Sequence, residues 1–169
     1  MTNINDELLD LVDGDDNVTG TIWRSEYQKL VDDKLGYIRA VEMLIQNEKG
    51  QLWIPKRTAD KRIAPNGLDY SMGGHVSAGE TYLESALREI REELNLELEE
   101  KDLLFIAKFA PLDLPYFRTL YIYKSNETPL YNPHDFVSAK WLTAVELLAK
   151  LDSGVLAKTN MRETISVLI

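Results

Sequence analysis

Apolar positions along the chain keep two different periods. Over residues 81–94, Leu83, Ala86, Leu87, Ile90 and Leu94 recur at spacings of three and four, with no Gly or Pro among them. That is the stripe of a helix with one buried face, and the residues around it (Ala, Leu, Glu, Arg) are strong helix formers. Elsewhere, short apolar runs are bounded by turn residues, which is how strands read. Strands are expected at 7–12 and 18–23 around Gly-Asp-Asp-Asn, and at 38–46 and 51–55 around Asn47-Glu48-Lys49-Gly50. Others are expected at 68–76, 103–110, 116–123 and 135–142. In the 116–123 segment the faces alternate imperfectly. Short helices are expected from a Ser25 cap to about residue 32, over 144–151 with a stop near Gly154, and over 161–168. Strands mixed with helices predict an α/β fold, a central mixed sheet between helices.

Composition sets outer bounds. A chain of 169 residues, 44% hydrophobic and of mixed charge, suits one domain over 1–169 with a real core. No apolar run approaches the ~18 residues of a membrane span. The start is acidic and lacks the basic opening of a signal peptide, so a cytoplasmic protein is expected. The absence of cysteine excludes disulfides and thiolate metal sites. A net charge of −9 argues against nonspecific nucleic-acid binding through a broad basic surface.

Within the 81–94 helix, Glu89, Glu92 and Glu93 stand at i, i+3 and i+4 and share one surface. Like charges so placed repel by roughly 0.2–0.5 kcal/mol per pair, and a bound cation reverses that penalty. Carboxylates with water suit Mg²⁺, which commonly bridges protein carboxylates to substrate phosphates. The plainer alternative is a solvated acidic face with partners such as Arg88–Glu92. Ahead of the helix, Lys56, Arg57, Lys61 and Arg62 cluster in an otherwise acidic chain. They are candidates to grip phosphate oxygens, Arg as a fork and Lys as a point charge; the alternative is a solvated basic loop.

A longer spacing selects between these alternatives. Gly74, Glu80, Arg88, Glu89, Ile90, Glu92, Glu93 and Leu96 match G-x5-E-x7-R-E-U-x-E-E-x-G-U, where U is a bulky aliphatic residue. Six identities at ~6% usage with two aliphatic positions arise by chance on the order of once in a million such chains. The segment resembles the Nudix box. One position departs: Asn95 replaces glycine just past the helix, where Asn is the usual substitute in a left-handed turn, so the turn is expected to survive. The resemblance implies an α/β/α Nudix sandwich and a hydrolase of organic diphosphates that uses Mg²⁺, with Mn²⁺ as a substitute. It implies Glu92 and Glu93 as principal metal ligands, Glu89 as helper or base, and Gly74 as a close backbone neighbour of the metal. Arg88 would orient the carboxylates, and Glu80 would hold Arg88. Lys56 or Arg57, with Arg118, would stabilise the transferring phosphoryl group. The candidates for general base are Glu89 and Asp135, which precedes the segment Phe136-Val137-Ser138-Ala139-Lys140-Trp141-Leu142; the plainer alternative for Asp135 is a turn residue after Pro133. The expected partner is a small-molecule diphosphate, and a homodimer is expected from the resemblance alone.

A finer resemblance runs from Trp53-Ile54-Pro55-Lys56-Arg57 through Gly73-Gly74-His75-Val76 and is similar to the branch holding isopentenyl-diphosphate isomerases and hydrolase-like relatives. Those isomerases use a cysteine where this chain has Gly73, and a set of histidines where it has only His75 and His134. Hydrolysis is therefore expected over isomerisation, with a non-catalytic diphosphate-binding module as a further alternative. His75 is open between a metal-side residue and a histidine packed against a strand. Tyr70, Tyr116, Phe117 and Trp141 are expected in core or rim packing.

Overall fold

The computed structural model describes residues 6–169. Strands β1 (Leu8–Val12) and β2 (Val18–Trp23) pair antiparallel as a separate ribbon. A short 3₁₀ turn over Arg24–Glu26 leads into helix α1 (Tyr27–Asp32). Ser25 does not cap it: its N–H and hydroxyl both go to the Asp6 carboxylate, at 3.0 and 2.5 Å.

The main sheet holds β3 (Ile38–Gln46), β4 (Leu52–Arg57), β5 (Met72–His75), β6 (Leu103–Phe109), β7 (Tyr116–Lys124) and β8 (Phe136–Leu142). The order is β6-β7-β3-β4-β8; β3 and β7 run parallel and the remaining pairs antiparallel, so the sheet is mixed. Strand β3 forks. Its end pairs with β4 at Gln46 and Leu52, while its earlier half, Ala40 to Met43, pairs with β5. The β3–β4 hairpin is closed by Asn47, whose side-chain oxygen accepts the N–H of Lys49 at 3.0 Å and of Gln51 at 2.9 Å.

Expected and observed strands differ most at β5, which has four residues where 68–76 is expected. The residues before it have other partners. Leu68 bridges to Lys56 and Ala157, and the Ser71 hydroxyl spans from Trp53 O to Ile45 N. Strand β4 gains Lys56 and Arg57 from the basic cluster.

Helix α2 (Tyr82–Leu94) is the helix read from the 3.6 period. Thr81 accepts from Glu84 N, and the Glu84 carboxylate accepts from Thr81 N at 2.8 Å, a reciprocal cap for two otherwise unpaired donors. Its buried face is Ala86, Ile90 and Leu94, with Leu83 and Leu87 half-buried. These pack on Val41, Met43 and Ile45 of β3 and on Met72. The alternate residues face the other way: Leu44, Leu120 and Ile122 pack on Leu147 of α3 (Ala144–Asp152) and on Met161 and Ile165 of α4 (Met161–Ser166). The period of two along the strands thus gives an α/β/α stack. Each large apolar side chain so buried stabilises it by about 1.5–3 kcal/mol. A third cluster, Leu9, Ile22, Leu30 and Ile38, joins the β1–β2 ribbon to the sheet. Among the described residues no helix is long and apolar enough to cross a membrane.

Candidate active site

Strand β5 lies along α2 and brings Gly73 and Gly74 against its glutamates. A β-carbon at Gly74 would overlap the carboxyl group of Glu89. One position earlier, Gly73 N donates to Glu93 Oε2 at 3.2 Å. Glu92, on the next turn, is largely exposed, its side chain 59% accessible.

Arg88 binds this group together. Its Nε donates to both Glu80 oxygens at 3.1 and 3.2 Å, and one terminal nitrogen donates to Glu89 Oε1 at 2.8 Å. The other reaches Glu80, the Ser77 hydroxyl and His75 O at 3.1–3.2 Å. Glu92 and Glu7 lie at 3.6 and 3.8 Å. Burial works against charge on Arg88, but its bonds to Glu80 and Glu89 outweigh it and hold the proton more firmly than usual. The planar fork meets two carboxylates and a carbonyl at once, which a lysine does not do.

The carboxylates are short of positive charge. Burial pushes the Glu93 carboxyl up to about 8; Lys158 opposes this, while Asp69, Glu89 and Asp135 push the same way. Burial also raises Glu89, against the pull of Arg88. Among the described residues no three His, Asp or Glu side chains stand gathered around a cation position. The reason is visible in the bonds: Glu89 and Glu92 turn to Arg88, and Glu93 to the Gly73 N–H. The donor chemistry nevertheless fits a hard divalent cation, because Glu89 and Glu93 are oxygen donors whose charge burial disfavours, and such an ion would relieve that.

The basic cluster divides. The Arg57 guanidinium is tied to Asp69 and donates to Ile63 O at 2.8 Å. Lys61 Nζ is 2.5 Å from Asp135 Oδ1, so these two expected site residues are brought together. Lys56 is exposed on β4, and Arg62 is exposed on the rim of a small pocket shared with Arg24, Tyr27, His75 and Tyr116. Arg118 is placed elsewhere. It is 4% exposed, on the sheet face that carries Leu120 and Ile122, and it pairs with Glu42 at 3.2 Å and with Glu163 of α4. An arginine so enclosed is a core ion pair, not an open phosphate grip, and the expectation for Arg118 is corrected accordingly.

His75 stands at the end of β5, and its ring meets Tyr116 edge-on, with centroids 5.8 Å apart. Burial, then Arg24, Lys158 and Arg62, lower its pKa to about 3, so it is neutral at ordinary pH. Tyr70 is buried, with its hydroxyl on Thr164 at 3.1 Å, and Phe117 is buried. Trp141 is half-buried against the α2 side of the core and Tyr116 half-buried at the pocket. Three neighbours of the site are missing from the sequence reading: Glu7, Asp69 and Lys158. Glu7 arrives just ahead of β1, where Ala78 N donates to Leu8 O at 2.8 Å; Asp69 and Lys158 are brought together by Leu68 N to Leu156 O at 2.8 Å and Lys158 N to Leu68 O at 2.9 Å.

Known proteins share both the sequence and the shape. Residues 36–162 match the NUDIX domain family. A protein named Nudix hydrolase from Deinococcus radiodurans is 40% identical, covering 98% of this chain and 95% of its own length. An uncharacterized Nudix hydrolase from Nostoc sp. is also 40% identical, over 92% of this chain and 91% of its own. The crystal structure of DR0079 from D. radiodurans superposes with a TM-score of 0.83 at 40% identity, covering 95% of this chain and 98% of that one. With the box residues in place on β5 and α2, and with relatives named as hydrolases over nearly the whole length, this chain belongs to the Nudix family of hydrolases.

Proposed function

We propose that this protein is a Mg²⁺-dependent pyrophosphohydrolase, able to use Mn²⁺, that cleaves the diphosphate of a nucleoside-diphosphate-X or related organic diphosphate. The observation that carries this is the charge-poor group of Glu89 and Glu93 under Gly73 and Gly74, braced by Arg88. Glu89, Glu92 and Glu93 would hold the cation, beside the backbone of Gly74. When bound, such an ion neutralises the diphosphate and makes water a better nucleophile at neutral pH.

The chain's own residues supply the rest. Arg88 holds the Glu89 carboxyl beside β5 through a 2.8 Å bond, which limits how far that side chain has to move to meet a cation. Lys56 and Arg62, both exposed, bind phosphate oxygens and stabilise the charge that builds on the transferring group. Arg57 and Lys61 act one step back, Arg57 by holding Asp69 and Lys61 by holding Asp135. Hydrolysis places water on one phosphorus and breaks its bond to the bridging oxygen, which departs on the second phosphate. The proton of the water goes to Glu89 or Asp135. A cytoplasmic location and a homodimer complete the proposal; the net charge of −9 supports a small-molecule partner over nucleic acid.

The test is a panel of nucleoside-diphosphate-X and prenyl-diphosphate compounds with Mg²⁺ or Mn²⁺, reading phosphorus-containing products. Glu92→Gln should lose roughly two or more orders of magnitude in rate. Cleavage by this variant at the wild-type rate would remove the metal role from α2. No cleavage of any compound by the wild type would favour a diphosphate-binding module.

A further inference from the structure

We infer that Lys158, on the segment between α3 and α4, is a further diphosphate-binding residue, reaching the carboxylate group through the space left by Gly73. The inference rests on the proposed hydrolase reading and adds to it a residue from outside the box.

The position is specific. Lys158 Nζ lies 2.9 Å from where a β-carbon on Gly73 would stand, so the missing side chain is what admits the ammonium. Gly73 is also the residue whose N–H holds Glu93. The ammonium therefore sits beside the strand that braces the carboxylates. It is 26% exposed and open to solvent on one side.

Its ammonium is loosely held: it lies 5.9 Å from the centre of the Tyr70 ring and makes one long ion pair. The nearest carboxylate oxygen is Asp69 Oδ1 at 3.7 Å, too far for a hydrogen bond. Asp69 is already satisfied: one oxygen takes Arg57 and the other takes Tyr70 N at 2.8 Å. Two further buried acids feel Lys158: Glu42, which has Arg118 at 3.2 Å and Thr164 at 3.3 Å, and Glu93, whose Oε2 accepts from Gly73 N at 3.2 Å. Among the described residues the Lys158 ammonium makes no hydrogen bond to protein, so it has three donors to offer. Arg62 is the matching cation: it lines one small pocket with Arg24 and with His75 at the end of β5. A diphosphate lying along β5 meets Lys158 at Gly73 and Arg62 at His75.

The probe is methylenediphosphonate, which cannot be hydrolysed at its bridge, titrated with Mg²⁺ into the full-length protein by calorimetry. Lys158→Met keeps the length and apolar stem and removes the charge. It should weaken binding by roughly ten- to a hundredfold, as loss of a charged hydrogen-bond donor does. Lys158→Arg should recover part of the loss. Gly73→Ala leaves the charge in the chain but pushes the flexible lysine end aside, so it should also weaken binding. The double variant should be no weaker than Lys158→Met alone, because both changes remove one contact. Wild-type affinity in Lys158→Met overturns the inference, as does failure of the wild type to bind. If Lys158→Met does not fold by circular dichroism, Gly73→Ala decides, and unchanged binding there overturns it. The Glu92→Gln rate is measured in parallel. Its loss beside unchanged Lys158→Met binding leaves the hydrolase reading standing without Lys158, and its retention removes the hydrolase reading itself.

Discussion

The Glu89 carboxyl group fills the space that a side chain on Gly74 would need. The contact joins β5 to α2 at the point where the carboxylates meet the sheet, and it makes the first glycine of the box a requirement of packing. Gly74→Ala should therefore push Glu89 out of its place against Arg88. Since a displacement of about 1 Å in a catalytic group costs up to ~100-fold, kcat is expected to fall by that order. The helix itself, held by Ala86, Ile90 and Leu94, should remain. Steady-state kinetics with far-UV circular dichroism checks both halves; a fully active Gly74→Ala protein would contradict the contact.

Arg88 is the joint of the site, and its replacement separates geometry from charge. Arg88→Ala leaves Glu80 and Glu89 without their fork, a loss expected to cost about 1–3 kcal/mol in urea denaturation. Arg88→Lys retains the charge but cannot reach Glu80, Glu89 and His75 O together. Its stability should lie between the other two. Its activity should still drop roughly 10–100-fold, as happens when a partner of a metal ligand is lost. A lysine variant with wild-type kcat would show that charge alone suffices.

Much of this arrangement is legible in the chain, and the limits have physical causes. Helix α2 is legible because one apolar period runs from Leu83 to Leu94 without Gly or Pro, and Asn95 follows it. The basic cluster is legible as charge but not as geometry. Arg57 finds Asp69 twelve residues on and Lys61 finds Asp135 seventy-four residues on, pairings that only the folded sheet creates. Arg118 could have been placed from its period: it shares a face with Leu120 and Ile122, and that face packs on α3 and α4. Lys158 carries no local signal at all, because its role depends on what Gly73 lacks.

Asp16 gives a pH dependence of stability. Its side chain is 7% exposed; it takes Arg39 Nε at 2.6 Å, the Tyr82 hydroxyl at 3.0 Å and the Lys108 ammonium. Burial pushes its pKa up, but the bonds from Lys108, Arg39 and Tyr82 outweigh burial and hold it below the ordinary 3.8. A lowered folded value means that the stabilisation is complete above the unfolded value and is lost as pH falls through the folded one. Asp16→Asn should cost about 1–3 kcal/mol at pH 7. That difference should shrink steadily below the ordinary value of 3.8. Urea denaturation at pH 7 and in acid tests the sign; a gap that widens in acid would reverse it.

Asn95 stands where the box pattern has glycine, and it does more than tolerate the turn. Its backbone is left-handed, φ 53° and ψ 35°, and its side-chain amide donates to Leu130 O at 2.6 Å. Next along that segment, Asn132 N donates to Glu93 O at 2.8 Å, and Asn132 O accepts from Asp135 N at 2.9 Å. Asn95 thus helps tie the end of α2 to the loop that carries Asp135. Asn95→Gly removes the conformational cost of a side chain in this region and loses the amide bond, worth about 0.5–1.5 kcal/mol. The two effects oppose, so global stability should change by less than about 1 kcal/mol. Asn95→Ala loses the bond without that relief, so it should be less stable than Asn95→Gly by roughly 1–2 kcal/mol. The loop should report the tether directly: in Asn95→Gly, the amides of Asn132 and Asp135 should exchange hydrogen faster while those of Ile90 and Leu94 stay protected. Equal exchange at Asn132 and Asp135 in the two proteins would show that Glu93 O alone holds the loop.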